Sequence, residues 1–286
     1  MSWTITGTQK VDWDPSLIST ALWLDAADAS TITEVGGAVS QWNDKSGNGH
    51  NATADGNPTY SATGLSTNKP AVQLDGTGDS FVSSITGIGS FNALDVYMVT
   101  QTTAAAAADV NTATFWGYGN ISSASGSYPA NRGQIFASAT GALSGEFITI
   151  IHENTSFVNG CLGSNTYTRA ADTAQILNSK NSTSGTSLFS NGGAVTLDLA
   201  SLITTSTNTA PSSIGYTVDS NFSIGAARAS GNLIYSPAIK FAEVIVSSTL
   251  LSTDNRQRME GYLAHKWGLT ANLPANHPYK TAAPVP

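Results

Sequence analysis

The stretch WNDKSGNGHNAT at residues 42–53, followed by VQLDGTGD at residues 72–79, decides the fold of this chain. In both stretches Asp, Ser, Asn and Gly are crowded beside short apolar runs. Asp and Asn side chains hydrogen-bond their own backbone two residues on, and Gly accepts a positive φ, so this composition is typical of tight turns. The two stretches therefore predict two turns at an edge of a β-structure.

Short apolar runs outside these turns predict β-strands. Residues 21–24 predict a buried strand that ends in the turn Asp25-Ala26-Ala27-Asp28. Gly36-Gly37 predicts a hairpin within residues 32–42, and the runs on either side of the second Asp-Gly turn indicate another hairpin. Residues 94–100 predict an interior strand. Further strands are predicted at 134–137, 147–151, 221–225 and 240–246.

Near the end of the chain the apolar period changes from that of a strand to that of a helix. Ser252 is a natural N-cap, and Gly268 supplies the stop. Apolar and aromatic residues recur at helical spacing between them, at Met259, Tyr262, Leu263 and Trp267. We therefore expect an amphipathic helix at 252–267 whose apolar face, including Trp267, packs on the β-structure.

Two further motifs, LWLDAAD at 22–28 and EGYLAHKWGL at 260–269, complete the pattern. Together with the two turns they resemble the concanavalin A-like lectin/glucanase superfamily, and within it the laminin-G-like jelly-roll proteins of phages and marine bacteria. The resemblance implies an all-β fold, a jelly-roll β-sandwich of two antiparallel sheets with one C-terminal amphipathic helix. Residues 1–18 are expected to form an N-terminal arm or edge strand. Residues 19–286 are expected to form a single laminin-G-like domain that includes helix 252–267 and an extended C-terminal tail.

The surface expected from the composition is polar but largely uncharged. Charged residues make up 11% of the 286 residues, against about 25% in an average globular domain. The net charge is −7, and the 12 Lys and Arg residues are scattered along the chain. Because no basic patch is present to neutralise phosphates, nucleic acid is not an expected partner. The single Cys161 excludes an intramolecular disulfide.

The beginning of the chain carries no recognisable export signal. Residues 1–7 lack the basic and continuous apolar regions of a secretion signal. The sequence also has no apolar span of 18 residues, so membrane insertion is not expected. An uncharged, extracellular type of composition with an initiator Met favours release by cell lysis, which is typical of a phage structural protein.

No catalytic residue is assigned. Retaining glucanases of this superfamily carry Glu-x-Asp-x-x-Glu on one strand, which places two carboxylates about 5 Å apart. That motif is absent, because Glu34, Glu146, Glu153 and Glu243 each lack the required neighbours. The four histidines have no spacing typical of zinc sites, and solvent-facing or capping roles are expected for His50 and His265. The chain is therefore not expected to be an enzyme.

Calcium is the one candidate cofactor, and its ligands are unknown. Asp25, Asp28, Asp44, Asp75 and Asp79 offer hard oxygen ligands of the kind that calcium prefers. The same Asp-Gly and Asp-x-Ser-Gly segments are also what tight turns require without any ion, and this second interpretation is favoured. The spacing from Asp75 to Asp79 is not that of the twelve-residue calcium loop.

Aromatic residues between the predicted strands are candidate sugar platforms. A carbohydrate site combines an aromatic plate with amide and carboxylate hydrogen bonds. The same side chains would equally well anchor loops against the sandwich. The candidates are Trp116, Tyr118, Tyr128, Tyr167 and Tyr216.

Two functional hypotheses follow from these patterns. The first is a non-catalytic virion structural or decoration protein on the outer surface of a capsid or tail, whose partners are other virion proteins or copies of itself. The second is an extracellular or cell-surface adhesin that binds host cell-surface glycans through the loops between residues 119 and 190. A hydrolase with an unfamiliar site, using Glu146 or Glu153, is the third and weakest hypothesis.

Overall fold

Short antiparallel strands dominate the protein. The computed structural model describes residues 13–85, 93–103, 113–118, 133–138, 146–151, 161–163, 171–182, 185–196, 198–199, 221–229, 232–234 and 237–286. In chain order the elements are β1 (Leu22–Asp25), β2 (Ile32–Val35), β3 (Ala38–Trp42), β4 (Ala52–Asp55), β5 (Thr59–Ser61), β6 (Ala71–Asp75), β7 (Ser80–Ser84), β8 (Ala93–Thr102), β9 (Ala113–Tyr118), β10 (Gly133–Ser138), β11 (Glu146–Ile151), β12 (Cys161–Gly163), β13 (Gln175–Ser182), β14 (Gly185–Ser190), β15 (Gly193–Val195), β16 (Asp198–Leu199), β17 (Asn221–Ile224), β18 (Ala227–Ala229), β19 (Asn232–Ile234), β20 (Ala238–Ser247) and α1 (Thr253–Trp267).

These strands form two sheets. The helix-side sheet has the order β15-β14-β13-β8-β20-β6-β5, with β1 also paired to β20. The large sheet has the order β16-β12-β11-β10-β9-β17-β7-β4-β3-β2, and β18 and β19 form a separate hairpin. The predicted all-β sandwich of two antiparallel sheets with one C-terminal helix is therefore confirmed.

The hydrophobic core lies between the two sheets. Strand β1 buries Leu22 and Leu24, which lie opposite Val246 and Val244 of β20. On the large sheet, Trp42 packs edge-on against Phe81, with ring centroids 5.9 Å apart. Burial of side chains of this size supplies the main stabilisation of the sandwich, since a fully buried apolar side chain contributes about 1.5–3 kcal/mol.

Helix α1 has the boundaries that the sequence predicts. The side chain of Ser252 accepts a hydrogen bond from the backbone N–H of Asn255, and Gly268 ends the helix in the left-handed conformation with φ 73°. Met259, Leu263 and Trp267 are buried. The prediction that Trp267 is a core residue is confirmed.

The C-terminal segment after α1 is fixed to the helix by several contacts. A Cβ added at Gly261 would lie 2.4 Å from Cβ of Tyr279, so the helix and the segment approach closely at this glycine. His265 Nε2 lies 2.9 Å from the carbonyl oxygen of Tyr279. Lys280 Nζ donates to three carbonyl oxygens of the same segment, those of Thr270, Ala271 and Leu273.

The second Asp-Gly turn does not close a hairpin, so that prediction is wrong. Strand β6 pairs with β5 and β20 in the helix-side sheet, whereas β7 pairs with β4 and β17 in the large sheet. The turn between Asp75 and Ser80 therefore crosses from one layer of the sandwich to the other. Partners distant in sequence override the local pattern here, because each strand buries its apolar face in a separate sheet.

The proposed N-terminal arm lies partly outside the described residues. Asp14 caps a short 3₁₀ turn, Pro15–Leu17, and accepts a hydrogen bond from the N–H of Ser16. Trp13 is buried and donates its backbone N–H to the carbonyl oxygen of Pro284. The described start of the chain thus contacts its end. The single-domain boundaries expected for residues 19–286 stay a prediction.

Candidate functional site

Asp44 organises the loop that joins β3 to β4. Its Oδ1 atom accepts hydrogen bonds from the backbone N–H groups of Trp23 and Ser46, at 2.9 and 2.8 Å. Its Oδ2 atom accepts from Ser46 Oγ at 2.7 Å and from the N–H of His50 at 3.0 Å. Four donors of this protein therefore satisfy both carboxylate oxygens, and the loop is tied to β1.

Asp79 has the same role in the crossing turn. Its Oδ1 accepts from the N–H of Asn57 at 2.7 Å, and its Oδ2 accepts from the N–H of Asp75 at 3.0 Å. Burial raises the pKa of Asp79 above its usual value, against the opposing effect of these two hydrogen bonds. A Cβ at Gly56 would lie 2.3 Å from Asp79 Oδ1, so a glycine is required beside this carboxylate.

A buried ionic cluster joins β1, β20 and α1. We call it the Asp25–Glu243 cluster, and it consists of Trp23, Asp25, Lys45, Glu243, Tyr262, Lys266 and Trp267. Asp25 and Glu243 lie directly opposite each other in the antiparallel register of β1 and β20. Lys266 Nζ of α1 lies 2.8 Å from Asp25 Oδ1 and 2.9 Å from Glu243 Oε2.

Glu243 is fully buried and accepts four hydrogen bonds. The indole N–H groups of Trp23 and Trp267 donate at 2.7 and 2.5 Å. The hydroxyl of Tyr262 donates at 2.9 Å, in addition to the ammonium of Lys266. Burial raises the pKa of Glu243, while Lys266 acts to lower it. Glu243 lacks the sequence neighbours of the glucanase motif, but it has close partners from β1 and α1.

Lys45 supplies the second positive charge of the cluster. Its Nζ lies 2.8 Å from Asp25 Oδ2 and 3.1 Å from Asp28 Oδ2. Burial acts to lower the pKa of Lys45, but the hydrogen bond and charge of Asp25 outweigh it and the pKa is raised. The hydrogen bond from Ser30 lowers the pKa of Asp28, and Lys45 adds to this effect.

The proposed calcium ligands are thus engaged by donors of the protein itself. Two lysines occupy both oxygens of Asp25, and backbone N–H groups occupy those of Asp44 and Asp79. Asp75 Oδ1 accepts from the N–H of Thr77 at 2.6 Å. Within the part of the chain that the structure describes, no group of three or more His, Cys, Asp or Glu residues is placed to hold a metal. These contacts favour the turn interpretation of the aspartates.

Two further buried polar groups lie under α1. Asp95 accepts from the N–H of Leu251 at 3.0 Å and from Asn178 Nδ2 at 2.5 Å, and burial raises its pKa to about 6. Glu260 pairs with Arg256 one turn earlier in the helix, and its Oε2 lies 3.1 Å from His277 Nε2. Both groups connect α1 or its N-terminal approach to neighbouring elements.

The outer face of the helix-side sheet is therefore largely covered. The Asp25–Glu243 cluster and Asp95 lie beneath α1 and its approach. The loop at residues 62–70 covers the other end of the face, because Gln101 Oε1 accepts from the N–H of Ser66 at 2.7 Å and Lys240 Nζ donates to the carbonyl oxygen of Gly64. Ser187 and Ala194, near the β14–β15 edge of this face, remain exposed.

The large sheet presents a different outer face. Thr53 lies opposite both Gln41 and Val82 in the strand register, and Ser84 lies opposite Asn221. Cross-strand partners share a face, and these residues alternate with core residues such as Phe81. All five side chains are exposed or half-exposed, and none is charged. We call this surface the large-sheet outer face.

The other sequence-based candidates fall into three groups. Trp116 is not a loop residue, since it lies on β9, is fully buried and stacks on Phe222 with centroids 5.6 Å apart; burial excludes it as a sugar platform. His50 and His265 bond carbonyl oxygens, of Ala21 and Tyr279, as capping roles require. The structure does not describe the remaining candidates or their side chains, which are Tyr118, Tyr128, Tyr167, Tyr216, His152, Glu146, Glu153 and Cys161.

Sequence reasoning missed the Asp25–Glu243 cluster, although two signals were present. Glu243 interrupts an otherwise apolar strand, and a charge in such a run is rarely buried without a partner. Lys266 lies four residues after Tyr262 in α1, at the spacing of neighbours on one helix face.

In the described ranges no helix is long and apolar enough to cross a membrane.

No family model and no curated protein matches this chain. Several solved structures do match its fold. The receptor-binding domain of botulinum neurotoxin C/D mosaic serotype has a TM-score of 0.52 at 12% identity, covering 83% of this chain and 50% of that chain. A structure of botulinum neurotoxin type C, which depends on interaction with two ganglioside molecules to enter cells, has a TM-score of 0.53 at 9% identity. The match covers 86% of this chain and 51% of that chain.

A third match is the binding domain of botulinum neurotoxin DC in complex with SialylT, with a TM-score of 0.54 at 9% identity, covering 86% of this chain and 51% of that chain. This protein spans about half the length of the chains that it matches. At such low identities the likeness concerns the fold, which is the β-sandwich described above.

Proposed function

We propose that this protein is a non-catalytic carbohydrate-binding module. The observation that carries the proposal is the β-sandwich shared with receptor-binding domains, one of which is in complex with SialylT. The finer assignment to laminin-G-like jelly rolls of the concanavalin A-like superfamily belongs to the same proposal. It is supported by three of the motifs that define the resemblance, since residues of each meet in the Asp25–Glu243 cluster.

The burial and hydrogen bonding of four carboxyl groups support the proposal that the protein is non-catalytic. Glycoside hydrolysis needs two carboxyl groups about 5 to 9.5 Å apart that face a substrate cleft. Asp25, Asp95, Glu243 and Glu260 are buried and engaged with donors of the protein beneath α1 and its approach. None of these four groups is available to a sugar.

The large-sheet side is the proposed glycan-binding side. The outer face of the helix-side sheet is largely covered, whereas the large-sheet outer face carries exposed or half-exposed hydroxyl and amide groups suited to sugar hydroxyls. Strands β9 to β12 also belong to the large sheet. The sequence between β9 and β13 contains Tyr128 and Tyr167, whose rings are candidates for stacking on sugar faces.

A glycan array followed by titration tests this proposal. The array contains ganglioside oligosaccharides, SialylT and bacterial capsular polysaccharides. Thr53→Arg places a bulky charge on the large-sheet outer face and is expected to weaken binding of the strongest glycan at least tenfold. The matched control, Thr63→Arg in the loop over the opposite sheet, is expected to leave affinity unchanged. Failure of the wild-type protein to bind any glycan would overturn the proposal.

A virion-surface role is a separate candidate for the same fold. Its support is the composition, with 11% charged residues and a net charge of −7. Symmetric self-assembly is the expected behaviour of such a protein. Light scattering coupled to gel filtration tests it: a defined oligomer at micromolar concentration is expected, and a monomer across the concentration range would remove this support.

A further inference from the structure

An amine and two carboxyl groups meet in the Asp25–Glu243 cluster within hydrogen-bonding distance. Lys266 Nζ lies 2.8 Å from Asp25 Oδ1 and 2.9 Å from Glu243 Oε2. The carboxyl side chains of Asp25 and Glu243 are 4% and 0% exposed, so bulk water has little access to them. Salt bridges elsewhere in the described chain do not combine these features: the pair of Arg258 with Asp254, for example, is largely exposed.

We propose that Lys266 and Asp25 form an intramolecular isopeptide bond, with Glu243 as the group that transfers protons. A proton first passes from the ammonium to the carboxylate, which leaves a neutral amine and a carboxylic acid. The amine nitrogen then attacks Cγ of Asp25 and forms the new N–C bond. Glu243 accepts a proton from that nitrogen and returns a proton to the departing oxygen. The C–O bond breaks, and one water molecule leaves.

This step balances without a co-reactant. An amine and a carboxylic acid become an amide and water, and no atom is oxidised or reduced. Because the reacting groups belong to one folded chain, the entropy that limits a bimolecular condensation has already been spent on folding. Exclusion of water also opposes the reverse hydrolysis.

Aromatic rings hold the reacting amine in place. The rings of Tyr262 and Trp267 have centroids 5.2 Å from Lys266 Nζ, and that of Trp23 lies 6.0 Å away. These rings keep Nζ beside the two carboxyl groups and limit its contact with water. Burial raises the pKa of Glu243, as is required of a group that must carry a proton during the reaction.

Two donors are placed to stabilise the charge that develops on Asp25. Lys45 Nζ lies 2.8 Å from Oδ2, and the N–H of Ala27 lies 3.0 Å from Oδ1. When the amine adds to Cγ, negative charge accumulates on these oxygens, so fixed donors lower the barrier as in an oxyanion hole. The indole N–H groups of Trp23 and Trp267 hold Glu243 beside the reacting atoms.

The bond would join β1 to α1 and close the whole segment between residues 25 and 266 into one covalent loop. A crosslink across so long a segment removes many conformations from the unfolded chain and resists mechanical extension. This consequence does not depend on glycan binding.

Intact-mass spectrometry of the purified full chain under denaturing conditions tests the proposal. The wild-type protein is expected to be lighter than its sequence mass by one water molecule. A tryptic digest is expected to contain one branched peptide that holds both Asp25 and Lys266. K266R and E243Q are expected to have their full sequence masses, whereas the control K69R, which changes an exposed lysine outside the cluster, still loses water.

Two results would overturn the proposal. One is a wild-type protein at full sequence mass. The other is a loss of water that maps elsewhere, for instance to succinimide formation at Asp75-Gly76, or that persists in K266R. If K266R or E243Q fails to fold, the wild-type mass and the branched peptide still decide the question on their own.

Discussion

Asp25 and Glu243 face each other across the β1–β20 pair, and the ammonium of Lys266 contacts both carboxyl groups. Two buried acids side by side would repel each other without a cation between them. The positive charge of Lys266 therefore compensates these two carboxyl groups and holds α1 against the sheet. This relationship explains why a motif of β1 and a motif of α1 occur together in one chain.

Removal of the Lys266 charge is expected to destabilise the fold strongly. Lys266→Met leaves Asp25 and Glu243 without their shared partner. Loss of the buried ion pair alone typically costs about 3–5 kcal/mol, and loss of the proposed amide bond would add to this cost. Urea denaturation measures the loss. The control Lys69→Met changes an exposed lysine and is expected to alter stability by no more than about 0.5 kcal/mol. Equal stabilities for the two variants would contradict the role assigned to the cluster.

Asp95 is expected to make stability depend on pH. Its pKa is about 6 in the folded protein against an ordinary 3.8, so the folded chain binds this proton more tightly than the unfolded chain. The contribution is fully present below pH 3.8 and is lost as pH rises through about 6. A shift of this size corresponds to about 3 kcal/mol.

Comparison with Asp95→Asn isolates this contribution. Relative to the variant, the wild-type protein is expected to gain about 2–3 kcal/mol between about pH 7.5 and pH 4. Urea denaturation at the two pH values measures the gain. Asn178 Oδ1 is buried without a hydrogen-bond partner in the structure, and a rotation of this amide would let the protonated Asp95 donate to it. A difference between the two proteins that is independent of pH would refute this assignment.

Gly261 is expected to be essential for docking of the C-terminal segment. In Gly261→Ala the new methyl group would overlap Tyr279, so the segment after α1 must move away from the helix. Limited proteolysis is expected to release this segment faster than from the wild-type protein. Gln257→Ala, on the same helix one turn earlier, serves as the control. Unchanged cleavage of Gly261→Ala would show that the segment adjusts without undocking.

Asp44 is expected to stabilise its loop without calcium. Asp44→Ala removes the acceptor for four hydrogen bonds and is expected to cost about 2–3 kcal/mol. Thermal melts of both proteins, with calcium and with chelator, form a thermodynamic cycle. The difference between variant and wild type should be the same in both conditions. A larger loss in calcium would restore Asp44 as a ligand.

The sequence predicts the local features of this protein well. The turn at residues 43–51, the limits of α1 and the interior strand β8 all follow from patterns within a few residues. Turn residues, caps and apolar periodicity act over such short distances. The same patterns predicted turn roles for the aspartates, and the hydrogen bonds of Asp44 and Asp79 agree with them.

Contacts between distant residues could not be predicted in the same way. Asp25, Glu243 and Lys266 are brought together by the pairing of β1 with β20 and by the docking of α1, and no local pattern encodes either. The predicted hairpin after Asp75 fails for the same reason, since β6 and β7 pair with strands elsewhere in the chain and lie in different sheets. Trp116 was misjudged because a short strand between an Ala-rich run and a Gly- and Ser-rich stretch resembles a loop.

Titration calorimetry with the glycan that binds most strongly on the array tests the central claim most directly. The account predicts saturable binding to the wild-type protein, release of the glycan unchanged in mass, and at least a tenfold weaker affinity for Thr53→Arg but not for Thr63→Arg. Absence of binding to every glycan, or cleavage of the bound glycan, would contradict the proposal that this β-sandwich is a non-catalytic carbohydrate-binding module.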